Sequence, residues 1–172
     1  MTSSGFALFD TAVGRCGVAW GDHGITGVQL PQPNEAQTRT RLLQRSGAEL
    51  SETAPPPAIV RAIDGMTALL AGERIALDDI ALDMSRVSDF NRGVYEIARA
   101  IPPGSTLTYG DIAKRLGGVE LSRDVGQALG QNPFPIVVPC HRVLAAGGKP
   151  GGFSANGGVK TKLKMLEIEG AY

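Results

Sequence analysis

Apolar positions in the first thirty residues alternate instead of recurring every third or fourth place. Phe6-Ala7-Leu8-Phe9 and Cys16-Gly17-Val18-Ala19-Trp20 read as two strands. Gly27-Val28-Gln29-Leu30 reads as a third, after the turn Gly21-Asp22-His23-Gly24. The period then lengthens. Asn34 is placed to cap a helix over residues 35–45 that carries Arg39, Arg41 and Arg45. Thr53-Ala54-Pro55-Pro56-Pro57 interrupts the chain, and Ile59, Ile63, Met66 and Leu70 then share one face of a helix that Gly72 ends. Ile80 to Met84 reads as a further strand.

Beyond Ser85 the helical period dominates. Ser88 caps a helix with Phe90, Val94, Ile97 and Ile101 on one stripe, and Pro102-Pro103-Gly104 stops it. Thr108-x-x-Asp111 has the spacing of a capping box and opens a short helix from Tyr109 to Leu116, closed by Gly117-Gly118. Ser122 is expected to cap the next helix, which runs to Gly130 before Asn132-Pro133. Two short helices joined by a tight glycine turn are a helix-turn-helix candidate, although many helix pairs share that pattern. Ile136-Val137-Val138 then reads as a short buried strand, and Pro139 removes a backbone donor and ends it. The expected fold is α+β. Residues 1–85 form a small mixed strand/helix domain. Residues 86–172 form a mostly helical domain with a helix-turn-helix and a short strand leading to Cys140.

Composition narrows the classes. Hydrophobic residues make up 42% of 172, enough for a packed core, and no apolar run reaches membrane-spanning length. MTSSGFALFD has no basic stretch before an apolar one, so no secretory leader is expected. With only Cys16 and Cys140, a disulfide framework is not expected, and the cytoplasm is the expected compartment. The net charge of zero hides an asymmetry: residues 1–85 hold 6 Lys/Arg against 10 Asp/Glu, residues 86–172 hold 11 against 7. That suits either ordinary surface solubility or a C-terminal half that meets a polyanion.

The candidate chemistry sits in IVVPCHRVL. A thiol at the end of a rigid element, beside an imidazole and a guanidinium, has two neighbours able to favour thiolate. Adjacent side chains on a strand point to opposite faces, so contact between Cys140 and His141 requires a turn there. Glu167 or Glu169 in the last helix could fix the tautomer of His141. A nucleophile activated in this way serves a hydrolase or a transferase equally well. Cys16, in a strand pattern, reads as a structural thiol. There is no CxxC or HxxH spacing, so no metal is expected. Arg123 lies in the first turn of a helix, where a cation is disfavoured by the helix dipole. It is either a plain surface arginine or a side chain aimed at a phosphate or a base stack.

The stretch from Asp89 to Gly170 resembles the catalytic domain of the O6-alkylguanine-DNA alkyltransferases. The likeness rests on PCHRV preceded by NPFPIVV and followed by a glycine-rich loop and a K-x-x-x-L-x-x-E helix. Residues before it match only in coarse element order. The resemblance implies a single-use DNA repair protein that needs no cofactor and acts as a monomer. It would bind duplex DNA through the helix-turn-helix in the minor groove, flip the alkylated guanine out, and move the alkyl group to cysteine. By motif, Cys140 is the acceptor, His141 its base through a water, Glu169 the carboxylate that orients His141, and Asn132 the support of the cysteine loop. Arg123 fills the place of the flipped base, with Ser122 and Gln127 as further DNA contacts. Tyr109 meets the rotated phosphate and the guanine, and Phe153 and Ser154 line the pocket. O4-alkylthymine is a second substrate that pocket shape decides. Three departures stand out: Asp124 where small apolar residues are frequent, Phe153 in place of a common tyrosine, and a longer loop after Cys140. The other readings are a non-catalytic protein that binds or senses alkylated DNA, and a Cys-His-Glu hydrolase.

Overall fold

The computed structural model describes residues 4–47, 49–153 and 157–171. Its N-terminal part is an antiparallel meander, β1 (Gly5–Thr11), β2 (Gly14–Gly21) and β3 (Gly24–Gln29), in that order. The register pairs Phe6 with Ala19 and Phe9 with Cys16. Alternation therefore sends Phe9, Cys16, Val18 and Trp20 to one face and Phe6 and Ala19 to the other. The second face is covered by α1 (Glu35–Ser46) through Leu42. The approach is close: a Cβ on Gly27 would run into the Ser46 hydroxyl, so a larger residue there would force that side chain to move. Asn34 caps α1 as expected, accepting from the Gln37 amide at 2.9 Å.

On the first face the sheet meets α2 (Pro57–Leu70), with Pro57 in the first turn, and then α3 (Asp89–Arg99), capped by Ser88. β4 (Leu107–Thr108) leads straight into α4 (Tyr109–Leu116). Both halves of the capping box form there: Asp111 N–H donates to Thr108 Oγ1 at 3.0 Å and Thr108 N–H to Asp111 Oδ2 at 2.9 Å. Such a cap contributes about 1 kcal/mol. α5 (Ser122–Gly130), β5 (Val143–Leu144) and α6 (Val159–Ile168) follow, with β5 parallel to β4. One apolar core runs from Val18 and Trp20 of the sheet through Met66, Val94, Ile112 and Val125 to Met165. Among the described residues no helix is long and apolar enough to cross a membrane.

The mixed architecture agrees with expectation, and three local features differ. Ile136-Val137-Val138 is not a strand: it is a buried turn in which Val138 N–H returns to Phe134 O at 2.8 Å and Ile136 takes φ 77°. Its β-branched run reports burial on all sides, and no strand edge is offered to it. The ladder comes after the cysteine instead, in β5. Ile80 to Met84 makes a single bridge, Leu82 to Ile25, held by Ile25 N–H to Ala81 O and Asp83 N–H to Ile25 O. Ser122 does not cap α5. A 3-10 turn over Val119–Leu121 runs directly into the helix, so Ser122 is already helical and its hydroxyl donates back to Val119 O at 2.6 Å.

Candidate active site

Cys140 opens a one-turn 3-10 helix, Cys140–Arg142, at the end of the buried turn. Its amide donates to Val138 O at 2.7 Å. Asn132 braces the turn from inside: Nδ2 donates to Val138 O at 2.9 Å, and Oδ1 accepts from Phe134 N–H at 2.9 Å. The Asn132 side chain also pulls the Cys140 pKa down, against burial. The tight turn that adjacent thiol and imidazole require is therefore present.

His141 is fully buried, and its Nε2 lies 3.0 Å from Glu169 Oε2 at the end of α6. Burial lowers the His141 pKa, against the opposing pull of Glu169, so the ring is neutral near neutral pH. Burial alone would raise the Glu169 carboxyl. Hydrogen bonds from Arg142 and His141 outweigh it and hold the carboxyl at about 2. With Glu169 ionised, the tautomer that satisfies the contact carries its proton on Nε2. Nδ1, which has no partner among the described residues, is left as a buried bare acceptor. A neutral imidazole with one nitrogen anchored and the other free can act as a general base. Glu169, not Glu167, is the carboxylate in place.

Arg142 departs from its expected role beside the thiol. Nε and Nη2 grip Glu169 at 2.9 and 2.7 Å, and Nη1 donates to Ile101 O at 2.7 Å. The guanidinium is consumed by the carboxylate, and its charge also helps keep His141 neutral. With His141 neutral as well, neither sequence neighbour supplies the thiol with a positive charge. Two distant cations do so: Lys162 from α6 and Arg45 from α1. Burial dominates and raises the Cys140 pKa, while Asn132, Lys162 and Arg45 all pull it back down. Lys162 is 1% exposed, with Nζ 5.7 Å from the Tyr109 ring centroid, 5.9 Å from that of Phe153, and 3.3 Å from Gly152 O. Burial lowers the Lys162 pKa, against the pull of the Cys140 thiolate.

Cys140 lies in a cleft of about 430 Å³ lined by Tyr109, Gly126, Leu129, Gly152 and Phe153. That volume falls within the range of small-molecule sites. A Cβ at Gly126 or Gly130 would meet nothing within 4 Å, so these glycines keep the α5 wall open. At Gly151 the reason is different. Its φ is +73°, and a Cβ there would lie 2.6 Å from the Tyr109 hydroxyl, so only glycine lets the loop press against that ring. Tyr109 and Phe153 both line the cleft. Arg123 and Gln127 are exposed one turn apart on the outer side of α5, beside the equally exposed Asp124. Ser122 spends its hydroxyl on Val119 O. Ser154 lies outside the described residues.

Reasoning on sequence missed Lys162, Arg45 and the clamp made by Arg142. A signal existed for the first. Lys162, Met165, Leu166 and Glu169 share one helical stripe, and all four are buried. Charged residues on an apolar stripe need partners, and here both serve the same site.

The chain is similar to several known proteins. Residues 89–171 match the family model described as 6-O-methylguanine DNA methyltransferase, DNA binding domain. A methylated-DNA–protein-cysteine methyltransferase of Methanothermobacter thermautotrophicus is 38% identical over 154 residues, covering 90% of this chain and 78% of the relative. The O6-methylguanine-DNA methyltransferase structure from Pyrococcus kodakaraensis superposes with a TM-score of 0.75 at 30% identity, covering 96% of this chain and 99% of that one. A Mycobacterium tuberculosis OGT structure in complex with DNA gives 0.74 at 30% identity, covering 96% and 92%.

Proposed function

The chain belongs to the O6-methylguanine-DNA methyltransferase family, and from that premise we propose that Cys140 is the atom that takes the alkyl group. The reaction is direct repair of O6-alkylguanine in duplex DNA. The sulfur–carbon bond forms as the carbon–O6 bond breaks, and guanine leaves with the electron pair and takes up a proton. The thioether has no route back, so each molecule acts once. The observation that carries this reading is a thiol on the floor of an open cleft, braced by Asn132 and flanked by a neutral histidine locked to an ionised glutamate.

Each group has a task on this reading. His141 takes the thiol proton through one intervening water, using the free Nδ1. Glu169, clamped by Arg142, keeps the proton of His141 on Nε2. Lys162 steadies the developing thiolate. A base inside a duplex cannot be reached in line, so the lesion leaves the stack and enters between Tyr109 and the α5 wall. Arg123, exposed at the start of α5, fills the gap, and Gln127 and Ser122 face the DNA beside it. Asp124 opposes phosphate binding there. Residues 86–172 are the DNA-binding and alkyl-acceptor domain and residues 1–85 its support. The protein works as a cytoplasmic monomer.

The test is stoichiometric. Duplex DNA carrying labelled O6-methylguanine should leave one equivalent of label on the protein, mapped to Cys140. Intact lesion binding without label would replace repair by sensing. Turnover of an ester or amide would point to a hydrolase instead.

A further inference from the structure

The N-terminal sheet and α1 reach the back of the cysteine turn. Val28 N–H on β3 donates to Pro133 O at 2.8 Å. Arg45 on α1 donates from Nη2 to Asn132 O and from Nη1 to Gln29 Oε1, the second at 3.3 Å. Gln29 is 3% exposed and fixed in turn by its own bond from Nε2 to Leu30 O at 3.0 Å. Asn132 is therefore held at both ends. Its carbonyl is held by the N-terminal region, and its side chain is bonded into the cysteine turn.

Gln29, Arg41, Arg45, Asn132 and Cys140 also line a crevice of about 20 Å³, separate from the large cleft. That is room for about one water and no more. Cys140 thus lines both an open cleft and a small crevice walled in part by guanidinium. Arginine keeps its charge in such surroundings. The interaction of charges this poorly hydrated is stronger than at an open surface.

We infer that Arg45 is a positioning residue for alkyl transfer. It locks the Asn132 turn and turns a positive charge on the Cys140 sulfur, so the N-terminal region sets the reactivity of the nucleophile as well as supporting it. This rests on Cys140 being the acceptor. The other titratable groups facing the thiol are Lys162 of α6, Tyr109 of α4, Tyr95 of α3 and the adjacent His141, and Arg41 faces Arg45 from its own helix. All of them stay in place in the variants that test the idea.

Three variants separate charge from geometry. Arg45→Met removes the charge and both bonds. Arg45→Lys keeps the charge. Gln29→Glu leaves Arg45 in place and neutralises it. The readouts are the pH dependence of Cys140 alkylation by iodoacetamide and the rate of label transfer from methylguanine duplex. The inflection should move to higher pH in Arg45→Met and Gln29→Glu and stay in place in Arg45→Lys. Transfer at neutral pH should fall about tenfold in Arg45→Met. An unmoved inflection in both neutralising variants, or a Lys variant displaced as far as Met, overturns the inference. If Arg45→Met does not fold, the other two variants decide. Displaced inflections together with a wild type that takes no label from DNA would sink the acceptor reading alone and leave the effect of Arg45 on the thiol standing.

Discussion

Two cysteines lie buried in this chain, and burial acts on both in the same direction. Cys16, on β2, is pushed up to about 11, mainly by burial and slightly by Asp10, against a weak contact from Thr11. Among the described residues its sulfur has only the Thr11 hydroxyl at 3.6 Å and Gly14 O at 3.8 Å for polar company, within a face of Phe9, Val18 and Trp20. Cys140 feels the same burial, yet Asn132, Lys162 and Arg45 all pull the other way, and a cleft opens onto it. Three sequence-remote side chains, two of them cationic, therefore oppose burial at Cys140.

The comparison breaks most sharply at the sulfur itself. Cys140→Ala should remove all alkyl transfer while lesion binding persists, whereas Cys16→Ala should retain transfer. One equivalent of label on the Cys140→Ala protein would show that the two thiols are not so different. Next comes the base. His141→Ala should slow transfer about 10²–10⁴-fold, the usual contribution of a positioned general base. The effect should be measured in single-turnover kinetics with melting followed alongside, because the ring is fully buried.

The Glu169 clamp should make the acceptor site acid-sensitive in a way that Cys16 is not. Its carboxyl is depressed to about 2 from an ordinary value of 4.5. A depressed carboxyl stabilises the fold fully above its unfolded pKa, and that stability is lost as pH falls through the folded value. The loss should therefore run from about pH 4.5 down to about 2 and amount to about 3 kcal/mol. Urea unfolding across that window measures it. In Glu169→Gln the slope should flatten, and the neutral-pH stability should drop by about 3–5 kcal/mol because Arg142 is left as an unpaired buried charge. An unchanged slope would mean that another carboxyl carries the acid transition.

Much of this was legible before any coordinates. The three strands, the Asn34 cap and the Thr108–Asp111 box follow from local rules, and the structure keeps them because no long-range contact competes. Cys140, His141 and Glu169 were legible because their spacing is that of a family. What was not legible depends on tertiary placement. Ile136 to Val138 has strand composition, but those residues are enclosed on all sides and bond within their own turn. Ser122 looks like a cap, but the 3-10 turn before it has already started the helix. Arg142 lies two residues beyond the thiol, and a single helical turn aims it at Glu169 instead. Arg45 reaches Asn132 only once α1 has docked against the glycine of β3.

The smallest effect sharpens the comparison from the other side. Cys16 is fully buried but makes no contact that chemistry needs. Trimming it to alanine removes one sulfur from a face already filled by Phe9, Val18 and Trp20. Such a change should cost about 1–2 kcal/mol of stability, at the low end for core truncations because so little volume is lost. Transfer to Cys140 should change by less than twofold. Iodoacetamide should still add one equivalent to the Cys16→Ala protein and none to folded Cys140→Ala. If Cys16 is labelled in the folded protein, burial without a cation does not silence a thiol in this fold, and the contrast with Cys140 fails. If it is labelled only after unfolding, the difference between the two thiols is assigned to the groups that surround Cys140 and to the cleft that admits the reagent.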